Sequence, residues 1–185
     1  MYYVPYVYPS QYCRLNASMY NMSRYPGYWE MPYADNTHRW FNFSSPKKKM
    51  ELKDYGKQPF VININEATKQ NKTFRTAIWT GNHLQVTLIS IAVGEDIGLE
   101  MHPNVDQFLR IEQGQGVVQM GKSKEHLTFE RKVNDDFAIM IPAGTWHNVK
   151  NTGSVPLKLY SIYAPPNHPF GTVHRTKREA MMMEH

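Results

Sequence analysis

The stretch DFAIMIPAGTWHNVKN, residues 136–151, carries Pro142, Gly144, His147 and Asn151 at the spacing P-x-G-x-x-H-x-x-x-N. An apolar run at 137–141 stops at Pro142, which has no N–H with which to continue a strand ladder. Gly144 permits a tight reversal, and the chain then presents one imidazole at the start of the next strand. A histidine so placed points into whatever the strands enclose. Upstream, GEDIGLEMHPNVDQFLRIEQGQG (94–116) supplies candidate partners in Glu100, His102, Asp106 and Gln107. The two clusters together predict a small β-barrel with a metal in its mouth.

Outward from these clusters, the chain after Pro59 reads as short β-like runs with turn signals between them. Strands are expected at 59–65 (PFVININ), 74–80, 97–102, 107–112, 117–120, 126–133, 137–141, 147–151 and 157–163. In HLQVTLISIAVG, Leu84, Val86 and Leu88 alternate with polar residues, the pattern of a half-buried strand. Roughly ten strands at about 8–12-residue spacing, with little helix, predict an all-β antiparallel sandwich or barrel. Only RTKREAMMME (175–184) has helical propensity, as a short C-terminal piece.

These residues resemble the two motifs of the cupin superfamily, G-x5-H-x-H-x(3,4)-E-x6-G and G-x5-P-x-G-x2-H-x3-N. Pro142, Gly144, His147 and Asn151 match the second, with Asp136 in place of its leading Gly. In the first, Glu100 replaces the first His and His102 matches the second. Gln107, spaced by x6 from Gly114, stands where the family usually has Glu. The resemblance covers 73–165 and extends to short bacterial single-domain cupins often labelled mannose-6-phosphate isomerase-like. It implies a cupin double-stranded β-helix, a jelly-roll barrel, at 59–170. An irregular N-terminal extension with a Lys-rich linker would precede it at 1–58, and a tail would follow at 171–185.

Glu100 and His102 are two apart, so on a strand both face the same side. Gln107 begins the partner strand and can face them, and His147 arrives from the other motif. Glu100, His102, Gln107 and His147 are therefore the expected metal ligands, with Glu100 also the candidate catalytic group. This N/O set suits Zn, Fe, Mn, Co or Ni better than Ca or a thiophilic ion. Asp106 fits the shorter family spacing, but it points to the opposite face from Gln107; the x6-Gly count favours Gln107 inside. The other reading of the altered first motif is a lost metal, with His102 and His147 as polar lining. Leu109, Ile111, Phe137, Ile139 and Ile141 should make the interior below the site apolar, and Arg110 should lie outside. His38, His83, His126, His168, His174 and His185 lack such framing and are expected to be surface or structural.

The chain has 185 residues, and its composition changes along its length: nine of its twelve tyrosines precede Ala34. Pro5 and Pro9 bar regular structure from MYYVPYVYPSQY. Residues 1–45 are too aromatic for an ordinary disordered tail, so either a docking segment or a cover over the barrel is expected. Their composition resembles spore-coat tails of endospore-forming bacteria. The net charge of +5 is scattered except at Lys47–Lys49, so nucleic acid is not an expected partner. Cys13 is alone, and no apolar run reaches membrane-spanning length. The N-terminus lacks a signal-peptide pattern, and a cytoplasmic or spore-coat location is expected. A homodimer is expected, pairing or exchanging a strand at 60–65 over an open sheet edge.

Three functional classes fit. One is a small-molecule-binding or assembly cupin, with a carbohydrate as candidate ligand. The second is a metal-dependent sugar-phosphate isomerase, for which the resemblance implies a ligand set of Gln, His, Glu and His. The third is an iron or nickel dioxygenase.

Overall fold

The computed structural model describes residues 49–183. The Tyr-rich segment with Cys13 and His38, together with Lys47, Lys48 and His185, lies outside the described residues. The described chain runs α1 (Ile64–Gln70), β1 (Arg75–Thr80), β2 (Gln85–Ile91), β3 (Asp106–Gln113), β4 (Gln115–Gly121), β5 (Phe129–Asn134) and β6 (Ala138–Ile141). It continues as β7 (Trp146–Asn151), β8 (Leu157–Ala164), β9 (Val173–His174) and α2 (Lys177–Met183).

A six-stranded sheet has the order β6-β3-β8-β2-β1-β9, and a three-stranded sheet the order β5-β4-β7. Every pairing is antiparallel. The two inner faces close over Ile89, Leu109, Ile111, Ile139, Val118 and Val149, the main apolar core. This is the all-β jelly roll with a short C-terminal helix that the strand spacing predicts. Arg110 lies on the outside as its parity requires, 2.6 Å from Asp136. Phe137 differs from expectation: it precedes β6 and is exposed, while Ile139 and Ile141 point inward.

A second cluster joins Ala67, Ile78 and Leu88 with Met50, Leu52 and Val86 on the outer face of the large sheet. Helix α1 and the segment before it cover that face, so β2 is buried on both sides. This inverts the parity read from HLQVTLISIAVG. Leu88 and Val86 face the helix side, Leu84 is exposed, and Gln85 and Thr87 are fully buried on the inward side. A polar residue is tolerated there because Gln85 is fully engaged. Its Nε2 donates to Thr80 Oγ1 and the His168 carbonyl, and its Oε1 accepts from the His168 N–H.

Two expected strands do not form. Residues 59–65 lead into α1, because the Asn63 side chain accepts from the Glu66 N–H at 3.2 Å and caps a helix. Val61, which a strand would have packed, is 97% exposed. An exchange of a 60–65 strand between copies therefore has no strand to act through. Residues 97–102 are irregular: they meet β7 through one isolated bridge, Glu100 to His147, and a hydrogen bond from the Ile97 N–H to the Val149 carbonyl, rather than as a continuous strand.

Asp136 has φ of 69°, the left-handed region that glycine enters without penalty. That accounts for the glycine of the family motif at this position. Here Asp136 N–H donates to the Ile111 carbonyl and its carboxylate pairs with Arg110. Asp136→Gly and Asp136→Ala both lose that exposed pair, and only alanine keeps the left-handed penalty. Alanine is expected to be less stable than glycine by about 1–2 kcal/mol in urea unfolding. Equal stabilities would show that the backbone is not held at this φ.

Candidate metal centre

The centre is assembled by backbone pairing. Glu100 N–H donates to the His147 carbonyl at 3.0 Å and His147 N–H donates to the Glu100 carbonyl at 2.9 Å. Residues paired this way project their side chains to the same side. His102, two residues beyond Glu100, shares that side, and its carbonyl accepts from Gly144 N–H at 2.8 Å. Gly144 has φ of 76°, which lets the turn close between β6 and β7.

His147 is fully buried, and its Nδ1 lies 2.9 Å from the Thr145 carbonyl. A carbonyl only accepts, so Nδ1 carries the proton and Nε2 presents its lone pair. Nε2 of His147 and Nε2 of His102 lie 3.4 and 3.5 Å from Oε1 of Glu100. The three donor atoms lie within 4.8 Å of one another. All three are buried and lack a hydrogen-bond partner among the described residues. Donors held about 2.0–2.2 Å from one ion stand about 3–3.5 Å apart, so the set fits a first-row divalent cation. Two imidazoles and one carboxylate suit Zn, Fe, Mn, Co or Ni.

Burial alone would raise the Glu100 carboxyl pKa. Contacts from His102 and His147 and the charge of Arg75 overcome that and hold it well below the usual carboxylate range. Arg75, only 1% exposed, has its guanidinium 3.9 Å from Glu100 Oε2. His168 is pushed down to about 3 by burial and, next, by Arg75. Its ring meets Tyr163 edge-on at 5.0 Å, and Tyr163 meets His102 edge-on at 5.8 Å.

Of the expected ligands, the structure brings Glu100, His102 and His147 together. Gln107 is buried on the inward face, with Nε2 donating to Ser161 Oγ at 3.0 Å and Oε1 buried without a partner among the described residues. Asp106 is exposed and accepts from Ala143 N–H at 2.9 Å, which ties β3 to the turn before Gly144. It lies outside the cluster. His83 and His126 are exposed, whereas His168 and His174 are buried. Arg75, Tyr163 and His168 are the surroundings that sequence reasoning missed. The available signal was Arg75 inside the β-run FRTAIWT, where a buried cation requires a counter-charge.

Residues 87–163 match the family model described as Cupin domain. The chain is 62% identical over 187 residues to uncharacterized protein YrkC of Bacillus subtilis (strain 168), covering all of both chains. It is 66% identical to the crystal structure of BH2720 from Bacillus halodurans, with a TM-score of 0.70 over 71% of this chain and 99% of that one. A double-stranded β-helix domain from Klebsiella pneumoniae, 17% identical, shares the fold at a TM-score of 0.50, over 63% of this chain and 98% of that one. This chain therefore belongs to one family with YrkC and carries a cupin domain at residues 87–163.

Proposed function

We propose that this protein is a metal-dependent cupin that binds a small polar ligand, a carbohydrate or sugar phosphate, at a divalent transition metal. The supporting observation is the convergence of three buried donors, Glu100 Oε1, His102 Nε2 and His147 Nε2, each without a hydrogen-bond partner among the described residues. A bound cation would supply Lewis acidity, polarising a ligand oxygen. Gln107 Oε1 is the candidate fourth donor. Leu109, Ile111 and Ile141 form the dry wall beneath, which keeps the local dielectric low.

Sugar isomerisation, the second reading, needs a base besides the metal ligands to move a proton between adjacent carbons. Glu100 is engaged by both imidazoles and Arg75, which suits a ligand rather than a free base. His168 sits at about 3, too low to take a proton efficiently near neutral pH. Both features favour binding without turnover. Metal analysis of gently purified protein, followed by calorimetric titration and turnover assays on a sugar and sugar-phosphate panel, tests it. Stoichiometric metal with saturable, chelator-sensitive binding and no turnover is the expected result. Trace metal would remove the proposal, and turnover would promote the isomerase.

A further inference from the structure

A cavity of about 910 Å³ lies between α2, the segment following β2 and the start of β8. Lys72, Lys158, Arg175, Lys177 and Arg178 line it, against one carboxylate, Glu95. It is not the metal centre. Lys158 pairs with Ser90 and Gln113, at the far end of β8 from Tyr163 and Ser161. Its neighbours Leu157 and Leu159 point into the barrel core, so Lys158 points outward.

The charge at this cavity is unbalanced. Lys177 pairs with Asp96 at 2.6 Å, but Lys72, Lys158, Arg175 and Arg178 have no carboxylate ion-pair partner among the described residues. Lys158 is 7% exposed, and its ammonium donates to the Asn71 carbonyl. A buried ammonium without a counter-charge is costly. Burial and, next, the charge of Lys72 accordingly push the Lys158 pKa down. Phe74, Ala92, Pro156 and Met181 supply apolar wall beside the two hydroxyls of Ser90 and Thr176.

We infer that this cavity binds a small organic phosphate, a phosphate monoester joined to an apolar body. Several cations suit a dianion better than a single carboxylate, and two guanidinium forks match phosphate oxygens. The apolar walls require more than a bare ion.

The test is a ¹H–¹⁵N titration of the full chain, metal-loaded, with phenyl phosphate, inorganic phosphate and phenol as probes. Phenyl phosphate should give saturable shifts at the Ala92, Lys158 and Arg178 amides that weaken as sodium chloride is raised. Lys158→Met and Arg178→Gln should each weaken it about tenfold, the value of one lost charge-assisted contact. Arg178 is exposed and so leaves folding intact. Phenol should give no such shifts. The inference is overturned if phenyl phosphate shifts only residues around His147, if phenol binds as well, or if both variants bind like the unaltered protein. Because the response is read at one cavity, failure here leaves the metal proposal standing.

Discussion

Replacing His147 by alanine is expected to strip the metal from the protein. His147 is fully buried, its tautomer is fixed by the Thr145 carbonyl, and its Nε2 lies 3.4 Å from the Glu100 carboxylate. Disturbing only the groups that orient ligands costs about 10–100-fold in metal affinity, so removing a ligand should exceed about a hundredfold. A metal at about a hundred times its dissociation constant stabilises the fold by about 2.7 kcal/mol. Added zinc or manganese should therefore raise the melting temperature of the unaltered protein and leave that of His147→Ala unmoved. His102→Ala, at a side chain only 13% exposed but not fully enclosed, should behave alike and guards against a folding defect peculiar to His147. His126→Ala, on the surface, should keep full occupancy. Normal metal content in both the His147 and His102 variants would remove these residues from any ligand set.

The legibility of this site from sequence follows from how its parts are distributed. Turn, proline, glycine and histidine of the second motif lie within residues 142–151, so their joint placement follows from local chain geometry. Strand parity puts Gln107 and Asp106 on opposite faces, and the x6 spacing to Gly114 chooses Gln107 for the inner one. Arg75, on β1, meets Glu100 and comes near His168 only through sheet closure, which no local pattern encodes. The helix at 64–70 was hidden behind the alternating look of PFVININ, although the Asn63 cap was readable. Its presence also explains the inverted parity of β2. A helix over the outer face gives Val86 and Leu88 an apolar partner there, and the site end of the barrel accepts Gln85 and Thr87 inside.

Arg75→Met is expected to destabilise the metal-free protein far more than the metal-loaded one. Arg75 is 1% exposed and its guanidinium stands 3.9 Å from the Glu100 carboxylate, itself mostly buried. At an effective dielectric of about 20, unit charges at that distance attract by about 4 kcal/mol, and removing one partner of a buried pair costs about 3–5 kcal/mol. For a chain of this size that is a fall in melting temperature on the order of 10 °C. When a divalent cation is bound, the carboxylate has a second counter-charge, and a nearby guanidinium is partly repelled by the metal. The loss should then shrink to a fraction of its metal-free value. By the same thermodynamic cycle, the variant's folded form should bind metal more tightly than the unaltered protein does. Arg75→Lys keeps the charge and should fall between. Melting curves of both variants, with excess chelator and with saturating metal, measure the difference directly. Equal losses in the two conditions would show that Arg75 supports the fold through contacts other than Glu100, and would detach it from the metal centre.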